Sequence, residues 1–140
     1  MLQVLNGPNI EAGESLSEAV DCSAGQMVRI TMPVEWTDAV LTFQFSTDGV
    51  MFNEVCDIDG RAITIQNIWP GSGVIISSDV GRAVAFVKFR SGTAGNPIVQ
   101  EERRQFAIAI RLDEAAAPEP PARSAKKKAP AKKAAKKKKK

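Results

Sequence analysis

The chain has 140 residues, a net charge of +3 and no histidine or tyrosine. Without histidine it lacks the commonest general base near neutral pH and the commonest metal ligand, and without tyrosine it lacks a phenolic acid. These absences argue against an enzyme, and no motif indicates a metal ion or another cofactor.

Charge divides the chain into two unlike parts. Residues 1–112 contain 8 basic and 13 acidic residues, a net charge of −5, whereas residues 113–140 contain 11 basic and 3 acidic residues, a net charge of +8. Such a change of composition predicts a domain boundary. We therefore expect a folded domain over 1–112, an Ala/Pro-rich linker over 113–125 and a lysine-rich disordered tail over 126–140.

The first third of the chain contains an early turn and two predicted strands. Residues 1–10 are mildly apolar, but the run Asn-Gly-Pro-Asn at 6–9 is typical of a turn. Residues 15–22 and 26–32 alternate apolar and polar side chains, as half-buried strands do, and Pro33 ends the second strand by removing a ladder donor. The core-facing side chains of these strands would be Leu16, Val20, Val28, Ile30 and Met32.

The strongest pattern in the sequence is a hairpin over residues 41–55. Residues 41–46 alternate between an apolar and a polar face, which is what a half-buried antiparallel strand requires. Asp48-Gly49 favours a tight two-residue turn because these residues accept positive φ angles. Residues 50–55 would then return beside the first strand. The predicted core-facing side chains are Leu41, Phe43 and Phe45.

Short strands and turns also account for the rest of the domain. The further strands are expected over residues 62–67, 74–76, 83–90 and 106–110. Turns rich in Gly, Asp, Ser and Pro are expected at residues 57–60, 70–73 and 78–81, and a loop at 91–97. Seven to nine short strands at intervals of about ten residues predict an all-β fold, an antiparallel, jelly-roll-like β-sandwich.

Several polar features of the domain have structural interpretations. Cys22 and Cys56 cannot form a zinc site without further ligands, and two cysteines do not make a disulfide scaffold, so we expect buried free thiols. Asp57 and Asp59 lack the later ligands of a calcium loop and are expected to stabilise a turn. The run Glu-Glu-Arg-Arg at 101–104 is interpreted as a solvated charged rim.

Two tryptophans allow two readings. Trp36 and Trp69 could form an aromatic platform for a sugar, as in small lectin-like sandwiches. They lie close to prolines in turns, however, and tryptophans in such positions more often pack against the core or its edge. Packing is the expected role.

The lysine-rich segment indicates a site for a polyanion. It could bind nucleic acid, bind another polyanion such as an acidic protein surface, or only keep the protein soluble; nucleic acid is favoured because each neutralised phosphate releases counterions. No aromatic residue lies among the lysines, so sequence readout is not expected. The segment resembles the Lys/Ala/Pro tails of linker histones and bacterial histone-like proteins. The predicted polyanion-binding residues are Arg123, Lys126, Lys127, Lys128, Lys132, Lys133, Lys136, Lys137, Lys138, Lys139 and Lys140.

Three segments carry a family resemblance. Residues 13–21, 28–52 and 86–93 resemble small proteins encoded by tailed bacteriophages and prophages, often among the virion morphogenesis genes. The most specific part is the pattern Met-Pro, Trp-Thr, Leu-Thr-Phe, Asp-Gly and Phe within residues 32–52. The resemblance extends over about residues 13–110 and excludes the lysine-rich segment.

The resemblance implies a structural role in a virion, such as capsid decoration or a head-neck accessory. The expected partners are major capsid or neck proteins, with the chain oligomeric or repeated over a lattice. The protein would be made in the host cytoplasm without secretion, would not bind membranes and would reside in the virion. Two alternatives stay open: a carbohydrate-binding module for host attachment, and a genome-associated DNA-binding protein without sequence specificity.

Overall fold

The computed structural model describes residues 1–112, and the linker and tail expected over residues 113–140 lie outside this range. The described part contains eight strands and one short helix. In chain order these are β1 (Leu2–Ile10), β2 (Val20–Asp21), β3 (Gly25–Thr31), β4 (Leu41–Ser46), β5 (Asn53–Glu54), β6 (Gly73–Ile75), α1 (Ser78–Ala83), β7 (Phe86–Ser91) and β8 (Arg104–Leu112).

The strands form two antiparallel four-stranded sheets. The first sheet has the order β1-β8-β3-β6 and the second the order β2-β7-β4-β5. The antiparallel partners include β1 with β8, β2 with β7, β3 with β6 and β4 with β5. The first half of the chain is thus a ribbon that pairs with the second half in reverse order, which is the jelly-roll arrangement. The prediction of an all-β, jelly-roll-like sandwich is confirmed.

Aromatic rings connect the two sheets through the core. Phe43 on β4 meets Phe89 on β7 edge-to-face, with ring centroids 5.3 Å apart. Phe89 in turn meets Phe106 on β8 at 4.9 Å, and Trp36 meets Phe106 at 5.7 Å. Such edge-to-face pairs are favourable beyond their burial, by about 0.5–1.5 kcal/mol each. The core therefore joins β4 and β7 of one sheet to β8 of the other.

The amino-terminal segment is a strand, so the prediction of a turn at residues 6–9 was wrong. The turn-forming residues lie within β1, where the register against β8 shifts between Asn6 and Asn9. Gly7 and Pro8 make a β-bulge there, and a bulge accepts both a glycine and a residue without an amide hydrogen.

A second bulge changes which side chains of β3 face the core. The register against β8 shifts between Met27 and Arg29, so Val28 is the inserted residue. Met27, Ile30 and Met32 are buried, whereas Val28, which alternation placed in the core, is partly exposed. The predicted core positions were therefore correct for Ile30 and Met32 and wrong for Val28, because the bulge reverses the alternation before Ile30.

The hairpin after β4 is wider than predicted. β4 ends at Ser46 and Phe45 pairs with Asn53, so residues 47–52 form the connection instead of a two-residue turn. Only Gly49 in this loop has a positive φ angle, at 81°. The Asp48 carboxylate accepts hydrogen bonds from the amides of Val50 and Met51, which holds the wider loop in place. Leu41 and Phe43 are buried as predicted, and Phe45 is partly buried.

Three other expectations need correction. Residues 78–81, predicted as a turn, belong to α1, whose first turn is capped by the Ser77 hydroxyl. Residues 62–67 form isolated bridges, Leu41 with Ile65 and Cys56 with Ala62, and no strand. Cys22 is a buried free thiol as predicted, but the free thiol of Cys56 is exposed.

Candidate docking surface

The structure gives the two tryptophans different environments. Trp36 is partly buried, packs against Phe106 and donates its indole N–H to the carbonyl of Ala39 at 3.0 Å. The indole N–H of Trp36 is therefore already occupied by a hydrogen bond within the fold. Trp69 is 74% exposed, so the expectation that it packs at the edge of the core was wrong. Of the two rings, Trp69 is the one that lies mostly in solvent.

Trp69 lies on a turn that is joined to the segment after β3. Gly71 donates its amide hydrogen to the carbonyl of Pro33 at 2.7 Å, and Met32 donates to the carbonyl of Ser72 at 2.8 Å. The turn itself is closed by the Ser72 amide, which donates to the Trp69 carbonyl at 3.0 Å. These bonds hold the backbone beneath Trp69 in a defined position.

The segment after β3 adds a second exposed apolar side chain and one wall of a groove. Val34 is 83% exposed. The groove beside it has a volume of about 340 Å³ and runs between residues 32–35 and residues 103–105. We call Val34, Trp69 and this groove together the Trp69 surface. It combines apolar side chains with the charged groups of Glu35 and Arg103, a mixture that is typical of protein docking sites.

A buried glutamine connects the chain segments on the two sides of the groove in this surface. Gln100 is fully buried, and its carboxamide Oε1 accepts from the Thr37 amide and from Arg104 Nε, both at 2.9 Å. Its Nε2 donates to the Thr37 carbonyl at 3.0 Å and to the Ser91 hydroxyl at 2.7 Å. One side chain thereby joins the segment after β3, the end of β7 and the start of β8.

Arg104 is not part of a solvated rim. Residues 101–103 are exposed as predicted, but Arg104 is buried beneath them. Its guanidinium donates to Gln100, reaches the Thr37 hydroxyl at 3.3 Å and lies 3.7 Å from a carboxylate oxygen of Glu35. One of the four residues of the predicted rim is therefore a buried cation, which is stable there because Gln100 and Thr37 hydrogen-bond to it and Glu35 forms an ion pair with it.

The outer face of the second sheet contains another buried polar cluster. Arg90 donates from Nη1 to Glu54 at 2.9 Å, from Nη2 to the same carboxylate, and from Nε to the Thr42 hydroxyl at 3.1 Å. Thr42 donates to the Gly92 carbonyl at 2.7 Å. The hydrogen bonds from Arg90 lower the pKa of the Glu54 carboxyl below its ordinary value, against an opposing effect of burial, and Gln44 adds a weaker stabilising bond. All donors here have partners, so the cluster serves the fold.

A larger apolar groove lies beside α1. Its volume is about 510 Å³, and Val55, Ile58, Ile63 and Val80 provide most of its apolar lining. The exposed thiol of Cys56 lines the same groove. Asp57, as predicted, stabilises the adjacent turn by accepting from the amides of Asp59 and Arg61, both at 2.9 Å.

The remaining features of residues 1–112 concern metal ligands, membrane spans and the buried thiol. Within this range no group of three His, Cys, Asp or Glu side chains is arranged to hold a metal ion, and no helix could span a membrane. Burial, reinforced by the neighbouring Asp21 charge, raises the pKa of the Cys22 thiol to about 11. The predicted polyanion-binding residues from Arg123 to Lys140 lie outside the described range.

No protein family, curated protein or solved structure matches this chain.

Sequence reasoning missed Gln100 and the burial of Arg104. Both are polar residues in a stretch that reads as a loop and a charged run, and Gln100 bonds to Thr37 across 63 residues of chain. Trp69 carried a signal, because it lies beside Pro70 and Gly71 in a turn, where a large side chain has few neighbours to pack against.

Proposed function

We propose that this protein is a non-enzymatic structural component of a tailed-phage virion, which decorates the capsid or serves as an accessory of the head-neck region. Its jelly-roll domain docks on the assembly, and its lysine-rich segment contacts DNA or another polyanion. The observation that carries the proposal is the Trp69 surface: large apolar side chains are held in solvent on a backbone fixed by hydrogen bonds. Preorganised aromatic groups of this kind are the usual centres of binding energy in protein interfaces.

The fold and the charge distribution support the same proposal. Jelly rolls are common in viral capsid proteins, which is a likeness of architecture and not of site. The domain has a net charge of −5, so the segment of net charge +8 is the part suited to a polyanion. Repetition of a small domain over a symmetric particle lets weak contacts add together.

Particle incorporation tests the docking role of Trp69. The variant W69A should reduce the number of copies per purified particle, because loss of a central interface tryptophan costs about 2 kcal/mol or more, roughly a thirtyfold loss of affinity. The matched control is V50A, which removes an equally exposed apolar side chain at 84% exposure from the loop after β4. Copy number is measured by quantitative mass spectrometry of particles produced with each variant.

Two outcomes would overturn parts of the proposal. Full incorporation of W69A would show that docking uses another surface. A chain lacking residues 126–140 should still be incorporated, since docking is assigned to the domain; its loss from particles would instead assign targeting to the lysines.

The exposure of Trp69 also favours a second candidate function, a carbohydrate-binding module for host attachment. The exposed Trp69 indole could stack on a sugar ring, and the groove beside Val34 offers the polar groups of Glu35 and Arg103. The N–H of the half-buried Trp36 is already bonded and is not available to a sugar. Titration with host-surface oligosaccharides, followed by indole fluorescence, distinguishes the candidates: saturable binding that W69A abolishes supports attachment, and no response supports docking to protein.

A further inference from the structure

The four edge strands of the two sheets differ greatly in length. β2 and β5 have two residues each and β6 has three, whereas β1 has nine. An unpaired edge offers backbone donors and acceptors to any other strand, and proteins commonly limit this hazard by keeping edge strands short. β1 is the exception in the described part of the chain.

One half of β1 is protected and the other half is not. Near its carboxyl end, the bulge at Gly7 and Pro8 interrupts pairing, and the Glu18 carboxylate accepts from the Asn9 amide at 3.1 and 3.2 Å. Residues 2–6 contain no charged residue, no proline and no bulge. Within them Leu2 is 48% exposed and Val4 is 54% exposed.

The hydrogen-bond pattern shows which backbone groups face outward. Leu112 donates to the carbonyl of Met1 at 3.1 Å, and the register against β8 continues without a shift from Leu2 to Asn6. Because bonding directions alternate along an antiparallel strand, Gln3 and Leu5 bond to β8. The N–H and C=O groups of Leu2, Val4 and Asn6 therefore point away from the sheet.

We propose that two copies of this chain pair through the free edge of β1, antiparallel and with Val4 opposite Val4 on a twofold axis. In this register Leu2 lies opposite Asn6, and the three outward-facing residues of each copy form about six backbone hydrogen bonds in all. The two first sheets then become one continuous sheet. The inference does not depend on the proposed virion function.

Self-pairing is favoured by the composition and shape of this edge. A twofold axis brings identical residues together, so a charged residue at its centre would repel its copy, and residues 2–6 have no charged side chain. A β-branched pair at the centre is a favourable cross-strand contact. On the outer face of the sheet, Val4, Ala109, Arg29 and Ile75 lie in one row across four strands. Pairing would place the Val4 ends of two such rows side by side.

Sedimentation equilibrium of the full-length protein tests the proposal. The wild type should convert from monomer to dimer as its concentration rises, and V4K should weaken the association by at least about tenfold, because it removes the central valine pair and puts like charges opposite each other. The control V50K introduces the same charge at an exposed valine far from β1 in sequence and should leave the association unchanged. A mixture of V4K and V4E should dimerise again, since the register places the two new charges opposite each other.

A measurement on the wild type alone guards against a folding defect in V4K. Amide hydrogen exchange at Leu2, Val4 and Asn6 should slow as the dimer forms, while that of exposed loop amides stays constant. A wild type that remains monomeric at every concentration would overturn the proposal. So would a dimer that V4K does not weaken, a dimer that V50K weakens equally, or fast exchange at all three amides in the dimer. If β1 instead pairs with a strand of another protein, the pure chain stays monomeric, and this result would also overturn self-pairing.

Discussion

At the scale of single residues, Gln100 does the most to position the candidate docking surface. Its four hydrogen bonds use both carboxamide oxygen lone pairs and both N–H groups, so the buried side chain has no unsatisfied polar atom. Two of these bonds go to the backbone of Thr37, which fixes the segment that leads from β3 to β4. A third goes to Arg104, so the orientation of a buried cation also depends on it.

Replacement of Gln100 should therefore destabilise the domain strongly. Q100A should lower the free energy of unfolding by about 2–4 kcal/mol, because several buried partners lose a hydrogen bond and Arg104 loses its acceptor. Equilibrium urea denaturation measures the change. The control Q105A alters the same residue type at an exposed site on β8 and should change stability by less than about 0.5 kcal/mol. Equal small effects of both variants would contradict the role given to Gln100.

At the scale of elements, β4 and β7 show why alternation predicts only part of a strand's environment. The outward residues Thr42 and Ser46 are buried, although period two predicts a polar, solvated face. Arg90 and its hydrogen-bond partners lie over Thr42, and the Ser46 hydroxyl bonds to the Asp48 carboxylate in the following loop. Burial on this face comes from polar side chains that satisfy one another, which no hydrophobic pattern can reveal.

The pairing of Glu54 with Arg90 predicts a pH dependence of stability. The pKa of Glu54 is lower in the folded state than its ordinary value of 4.5. Its contribution is thus fully present above about pH 5 and decreases as the pH falls through the lower, folded-state pKa. E54Q should cost about 1–2 kcal/mol at neutral pH, allowing for the solvent that reaches the carboxylate, and this cost should shrink toward pH 3.

A double-mutant cycle supplies the control for this prediction. In a background that carries R90M, the E54Q substitution should have a smaller effect that depends less on pH, since the partner that lowers the pKa most is gone. Thermal or urea unfolding at several pH values between about 3 and 7 gives the four free energies. An E54Q cost that persists unchanged at pH 3 would contradict the assigned pairing.

The sequence was sufficient to predict the β-sandwich and the inward-facing Leu41 and Phe43 of β4, because this strand alternates without interruption. It failed for β1 and β3, since bulges at Gly7-Pro8 and at Val28 use turn residues or reverse the alternation. It also did not predict that Gln100 and Arg104 are buried, because their burial depends on partners far away in the chain. The sequence indicated Trp69 as a candidate ligand-binding residue, but its exposure could be learned only from the folded structure.

At the scale of the whole molecule, the domain and the lysine-rich segment have opposite net charges. The domain carries a net charge of −5 and repels nucleic acid as a whole. Ten of the eleven lysines lie in residues 126–140, and Lys88 in the domain is placed over the ring of Phe52, 4.4 Å from its centroid. We therefore expect any affinity for DNA to come from the segment after residue 112.

A salt titration tests this division. If about 6–10 phosphates are neutralised, the logarithm of the affinity should fall with the logarithm of the salt concentration at a slope of roughly −5 to −9. Unrelated duplexes of equal length should bind equally. The chain without residues 126–140 should not bind, and its melting temperature should match that of the full chain. Equal binding by both chains, or a slope near zero, would contradict a nucleic-acid role for the lysines.

The unequal burial of the two cysteines makes the natural protein suitable for selective labelling. Cys22 is inaccessible, and with a pKa of about 11 it remains a protonated, unreactive thiol at neutral pH. Cys56 is exposed beside the groove at α1, so a maleimide reagent would attach there while the fold is intact. A gold cluster or fluorophore at that single position would report the location and orientation of the domain in an electron-microscopy image without any change to the sequence.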